Sequence, residues 1–285
     1  MPFLANSQHT TISGGNLVDQ SIGAINGNVT MNISLTNRQT GINILLEAFN
    51  PDAAYDSSAC NYTPWCQPGT CKQYIEDIFS WGAPAIGTDE PLPLFWMKGL
   101  AGIGKSAIAQ TCAEELKDLG RLSTAFFFAA RVRDNAEQFF PTITYQLSTE
   151  FPDYHNLLDQ RICCDRTILK KMMAIQFKAL IAEPFQELEK TGRGIGQRVV
   201  IIIDGLDECK KADDQSQIIK IIAVAAHDSV TPFHWAFFSR PEPQIEAAFT
   251  SDEASQVTYK VELPVLDDTN SDIKLYLCSG FENIS

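Results

Sequence analysis

The chain has 285 residues, 45% of them hydrophobic and 20% charged, enough to bury one full core with a small appendage. Its formal net charge of −13 excludes a broad positive field, so no nucleic-acid or anionic-membrane partner is expected. No apolar run approaches the roughly 18 residues needed to span a bilayer, and "MPFLANSQHT" is no secretory leader, so a cytoplasmic protein is expected.

Residues 1–38 form a Ser/Asn/Gly-rich tail, either flexible or able to pair with copies of itself. A helical lead-in is expected over 39–90: Ile42, Leu45, Leu46 and Phe49 share a helix face that Pro51 ends, and "CKQYIEDIFSW" returns to helical spacing. From 91 to 285 strands and helices alternate. "LFWMK" is a strand, and Ile108, Cys112, Leu116 and Leu119 line one face of a helix. "TAFFFAA" is a strand, while "AEQFFPTITYQL" and the stretch from about 168 to 188 are helical. "RVVIIID" is a β-branched strand suited to the middle of a parallel sheet. "QSQIIKIIAVAA" is a helix, "HWAFFSR" a strand, "PEPQIEAAF" a helix opening on proline, and "QVTYKVEL" a strand. A last helix starts in "NSDIKLYLCSGF". The alternation predicts an α/β fold with helices on both faces of a mainly parallel sheet. "TGRGIGQ" precedes a strand instead of following one, so it is a connector and no dinucleotide fingerprint.

Three stretches carry chemistry. "KGLAGIGKSAIAQ" matches G-x-x-x-x-G-K-[ST], with a strand before and a helix after. Backbone from Gly99 through Leu100, Ala101, Gly102, Ile103 and Gly104 to Ala107 is expected to wrap phosphate oxygens at a helix N-terminus. Lys105 is to reach the terminal phosphates of ATP or GTP, and Ser106 is to give its hydroxyl to Mg²⁺. "VVIIIDGLDEC" delivers Asp204 to the carboxyl edge of the sheet as the magnesium-side carboxylate on a neighbouring strand. Asp207 or Glu208 then orients or deprotonates a water, and the choice between them stays open. Arg240 ends another apolar strand, where it contacts a γ-phosphate or pairs with Glu242. Arg131 and Arg133 are weaker candidates for the same edge. The eight cysteines show no C-x-x-C pair and read as reduced thiols.

With "FWMKGLAGIGKSAIA", "AFFFAAR", "FPTITYQL", "VVIIIDGLDEC" and "FFSRPEP" in this order, the chain resembles NACHT-type P-loop NTPases. It is most similar to the fungal, nephrocystin-3-like branch of the signal-transducing NTPases that includes NOD-like receptors. The resemblance implies a five-stranded three-layer α/β/α sheet, with Lys105 and Ser106 at phosphate and Mg²⁺, Asp204 in the Walker B role, Arg240 as sensor, and Asp207 and Glu208 as additional acids. It further implies a switch in which nucleotide exchange opens a surface for self-association or for other signalling proteins. Cys71 stands where related chains carry an arginine, and the chain stops at Ser285, before the winged-helix module such proteins carry, as a fragment or a minimal member. Two functions from different classes follow: a slow Mg-dependent NTPase switch, and a nucleotide-stabilised interaction module without turnover.

Overall fold

The computed structural model of the chain describes residues 40–60, 65–66, 70–82, 91–197 and 199–264. The tail of residues 1–38 and the helix expected beyond residue 270 lie outside the described residues. In chain order the helices and strands are α1 (Gly41–Leu46), α2 (Lys72–Gly82), β1 (Leu94–Lys98), α3 (Lys105–Asp118) and β2 (Leu122–Phe127). There follow α4 (Phe139–Glu150), α5 (Pro152–Cys164), α6 (Met173–Phe177), α7 (Glu183–Lys190) and β3 (Val199–Asp204). The last are α8 (Ala212–His227), β4 (Phe233–Ser239), α9 (Pro243–Phe249), α10 (Asp252–Ser255) and β5 (Thr258–Glu262).

The strands form one five-stranded sheet in the order β2-β3-β4-β1-β5, and every pairing in it is parallel. The four strands β1 to β4 are almost entirely buried, which is why they read as continuous apolar runs. Side chains alternate between the faces along each strand. Phe95, Met97, Phe127, Val200, Ile202 and Phe238 belong to the core under α2 and α3. Trp96, Phe126, Ile201, Ile203, Trp235 and Phe237 belong to the larger core under α4 to α9. The result is the expected three-layer α/β/α arrangement with all strand ends of one polarity on one edge. β5 is an edge strand whose Tyr259, Lys260 and Glu262 are exposed.

Several expectations shift in detail. α1 ends at Leu46, which is exposed, and Pro51 opens a 3-10 turn capped by Asn50. Leu119 follows the last residue of α3 and faces solvent. The stretch from about 168 to 188 is helical as expected, but in pieces of different pitch: a 3-10 turn (Arg166–Lys170), then α6, a π turn (Lys178–Ala182) and α7 without a break. Helix α5 carried no expectation, although Pro152 at its first turn and buried Tyr154, Leu158 and Ile162 are its signature.

The π turn has a local cause. Pro184 has no N–H for the carbonyl of Leu180 four residues earlier, and its ring crowds that carbonyl. The buried Tyr154 hydroxyl instead donates to Leu180 O at 2.6 Å. Tyr154→Phe is therefore expected to cost about 1–3 kcal/mol by leaving that carbonyl without its partner. Urea unfolding should show a lower midpoint with an unchanged slope.

Candidate phosphate-binding site at the carboxyl edge of the sheet

The stretch after β1 turns sharply because Gly102 and Gly104 take φ of 80° and 97°, a region closed to most side chains. Gly104 is the N-cap of α3 and supplies no side-chain cap, so the first-turn amides of Lys105, Ser106 and Ala107 have no acceptor within the helix. Leu100, Ala101 and Gly102 are exposed, Ile103 is half-buried under the loop, and Ser106 faces outward. The Gly99 N–H donates to Ser239 O of β4 at 3.3 Å, so this amide is bonded to the sheet.

Lys105 is buried, and its ammonium donates to Gly99 O and Leu100 O, each at 2.7 Å. Burial lowers its pKa, while Asp207, Asp204 and Glu208 act to raise it and Arg240 to lower it. Four charged side chains from the ends of β3 and β4 thus act on one ammonium from the loop after β1.

Asp204 is the last residue of β3 and is buried, with Oδ1 finding no hydrogen-bond partner. Burial pushes its pKa up to about 7, with the Ser106 hydroxyl bonding to it and pulling the other way. The two residues expected to share a metal therefore meet. They do so across β4, since β4 lies between β1 and β3 and the strands are not sheet neighbours as expected. A buried carboxylate oxygen without a partner beside a hydroxyl fits magnesium, which takes one or two carboxylates and fills its remaining positions with water and phosphate. Among the described residues no group of three or more His, Cys, Asp or Glu side chains is set to hold a metal by itself.

After Asp204 the chain turns at Gly205, whose N–H donates to Phe238 O at 2.9 Å, into a 3-10 turn, Leu206–Glu208. The two acids of that turn have different partners. Asp207 bonds Arg240 through both oxygens: Oδ2 lies 2.9 Å from Arg240 Nε, and Oδ1 accepts the Arg240 backbone N–H at 2.9 Å. Arg240 thus pairs with Asp207 and not with Glu242. Glu208 Oε2 accepts the backbone N–H of Ala130 at 2.8 Å, tying the turn to the loop after β2. In that loop Arg133 Nη1 donates to Asp52 O at 2.8 Å, and the Arg131 N–H bonds Asp134.

Sequence reasoning missed the polar residues that hold these turns. Gln215 of α8, buried, donates to Asp207 O at 3.2 Å and Cys209 O at 2.7 Å, and accepts from Gln244 of α9 at 2.7 Å. Buried Ser239 takes the Trp96 Nε1 proton at 2.9 Å. A glutamine on an otherwise apolar helix face was the available signal. Cys71, at φ 57°, packs with Cys66 on the α2–α3 side, where Cys66 N–H donates to Thr111 Oγ1 at 3.1 Å. Thr111 is about 9 Å along α3 from Lys105.

The Nephrocystin 3, N-terminal family model matches residues 69–240, more than half of the chain. The chain belongs to this family. The match takes in Cys71, the glycine turn, the acidic turn and Arg240, and the resemblance to nephrocystin-3-like NACHT P-loop NTPases stands. No curated protein is similar in sequence. Among solved structures, Aeropyrum pernix ORC1 in complex with DNA is similar at 14% identity and a TM-score of 0.44, over 84% of this chain and 53% of that one. Drosophila ORC bound to poly(dA/dT) DNA and Cdc6 gives 13%, 0.46, 89% and 37% in the same order. AMPPCP-bound DnaA from Aquifex aeolicus gives 14%, 0.37, 81% and 56%. The chain thus spans about half or less of each neighbour's length. Likeness this remote says nothing of the ligands or partners of this family member.

The buried carboxylate has a stability consequence. Asp204 binds its proton more tightly in the folded chain (pKa about 7) than in the unfolded chain (about 3.9), so its cost to folding grows as pH rises between those values and is complete above the upper one. Relative to the wild type without added metal or nucleotide, Asp204→Asn should gain about 2–3 kcal/mol more at pH 8 than at pH 5. Denaturant unfolding of both proteins at the two pH values measures this, and a gain independent of pH would contradict it.

Proposed function

We propose that this chain binds a nucleoside triphosphate, ATP or GTP, together with Mg²⁺ and hydrolyses it slowly, as a switch whose nucleotide state controls association with copies of itself or with other signalling proteins. The observation that carries the reading is the convergence of Lys105, Ser106, Asp204 and Arg240 on one sheet edge beside a helix N-terminus, with Asp204 Oδ1 unpartnered. Carboxyl edges of parallel sheets are where such folds bind ligands. The free thiols among the described residues and the lack there of any helix able to cross a membrane accord with a cytoplasmic setting. The charge of −13 weighs against nucleic acid as a partner.

In this reading the amides from Ala101 to Ala107 wrap the phosphates, and Lys105 exchanges its carbonyl partners for phosphate oxygens. Ser106 and Asp204 would hold magnesium, which would supply positive charge against the negative charge of the phosphates. Arg240 presents its guanidinium to the terminal phosphate. Glu208 is the acid that orients water, since Asp207 has both oxygens on Arg240. Glu208 also holds the Ala130 amide, so neither acid stands ready as a mobile base, which accords with slow turnover. The same observation favours the second reading, an interaction module stabilised by nucleotide without turnover.

Lys105→Ala should weaken triphosphate affinity by about a hundredfold or more, because a charge-assisted contact and the loop's own support are lost together. Unchanged affinity by calorimetry would reject the site. Phosphate release that needs Mg²⁺ and falls to background in Asp204→Asn and Glu208→Gln selects the switch; release no faster than these variants selects the interaction module.

A further inference from the structure

The sheet edge contains one acid spent wholly on an arginine. The Asp207 side chain is 6% exposed, and its two oxygens take one bond each from Arg240, one from Nε and one from the backbone N–H. A single carboxylate thereby sets both the main chain and the side chain of the arginine. Contact through Nε leaves the two terminal nitrogens without a hydrogen bond among the described residues, on a side chain that is 44% exposed. These are the nitrogens that form a fork with phosphate oxygens.

Asp207 also has a reason to lie between cations. Arg240 and Lys105 repel one another, and Asp207 is the strongest of the acids acting to keep Lys105 charged. It lets a guanidinium and an ammonium share one edge. Asp207 in turn is held from behind. Gln215, buried, gives both amide protons to the carbonyls of Asp207 and Cys209, and its oxygen accepts from Gln244. Ser216 Oγ donates to Gln244 O at 3.2 Å, so α8 and the start of α9 are tied together behind Asp207.

We propose that Asp207 is a positioning residue, not the base, and that it aims the terminal nitrogens of Arg240 at the third phosphate of a bound triphosphate, with Gln215 fixing the turn that carries it. The proposal rests on the nucleotide reading above and assigns the discrimination of triphosphate from diphosphate to the Asp207–Arg240 pair. It does not require turnover.

The test is the ratio of affinities for a non-hydrolysable triphosphate analogue and for the diphosphate, by calorimetry with Mg²⁺ on the full chain. Arg240→Ala and Asp207→Asn should each lower that ratio about tenfold while sparing diphosphate affinity. The double variant should be no worse than Arg240→Ala, because the aspartate acts through the arginine. Gln215→Met should lower the ratio in the same direction. Additive losses in the double variant, or an unchanged ratio in Asp207→Asn, overturn the proposal. The amide in Asp207→Asn keeps an acceptor for the backbone N–H; should that variant fail to fold in a thermal melt, Arg240→Lys keeps the charge without the fork. It should lower the ratio as Arg240→Ala does, and a wild-type ratio overturns the proposal. A wild type that binds neither nucleotide overturns the nucleotide reading itself, a distinct outcome.

Discussion

Asp204 ends β3 inside the protein with Oδ1 unpartnered, and Lys105 sits buried against two carbonyls of its own loop. Taking either charge out of water costs several kcal/mol after relaxation, and their proximity offsets only part of that. Burial therefore drives the carboxylate toward its protonated form and the ammonium toward its neutral one. Groups under that stress keep their places only if the backbone beneath them cannot relax. The rest of the sheet edge supplies that stiffness.

β4 does most of it. Neighbouring strands are about 4.8 Å apart, so the loop after β1 and the aspartate on β3 start about 10 Å apart with β4 between them. They can meet only over the end of β4. That end is Ser239, buried and small, whose carbonyl takes the Gly99 N–H and whose hydroxyl takes the Trp96 indole proton. One residue earlier, the Phe238 carbonyl takes the Gly205 N–H. A bulky side chain at 239 would crowd Trp96 and lose its bond. The middle strand thus sets the height of both turns with main-chain bonds, and Arg240 follows at once.

Much of this was legible in the residues, for physical reasons. β-Branched and aromatic runs mark buried parallel strands, and each of the four buried ones was found; the glycine turn and the acidic turn stand directly after two of those runs. What escaped depended on partners distant in sequence. Whether Arg240 joins Asp207 or Glu242 depends on β3 and β4 being neighbours, which no local pattern encodes. β4 lying between β1 and β3 is a topological fact of the same kind. The π turn needed Tyr154 to be recognised as the partner of a carbonyl that Pro184 strands. Gln215 was hidden because a glutamine in a helix is ordinarily a surface residue.

The way a disturbance at Arg240 spreads follows from what surrounds it. Pro241 and Pro243 fix φ on either side of Glu242, so the turn after β4 cannot absorb a shift by rotating about those bonds. A pull on the guanidinium has two other exits. One runs through Asp207 to the 3-10 turn and, by way of Gln215, to the start of α8. The other runs into α9, whose Glu246 bonds Lys98 at 3.0 Å at the end of β1, directly before the glycine turn. Lys98 also reaches Glu262 of β5 at 3.3 Å, but that partner is largely exposed and the pair is worth little. The stiffer exit is therefore the buried one. Its amide network ties these parts together, because both carboxylate oxygens of Asp207 bond Arg240 and both N–H groups of Gln215 bond the acidic turn and its exit, so a shift of the guanidinium is passed to the acidic turn and the start of α8.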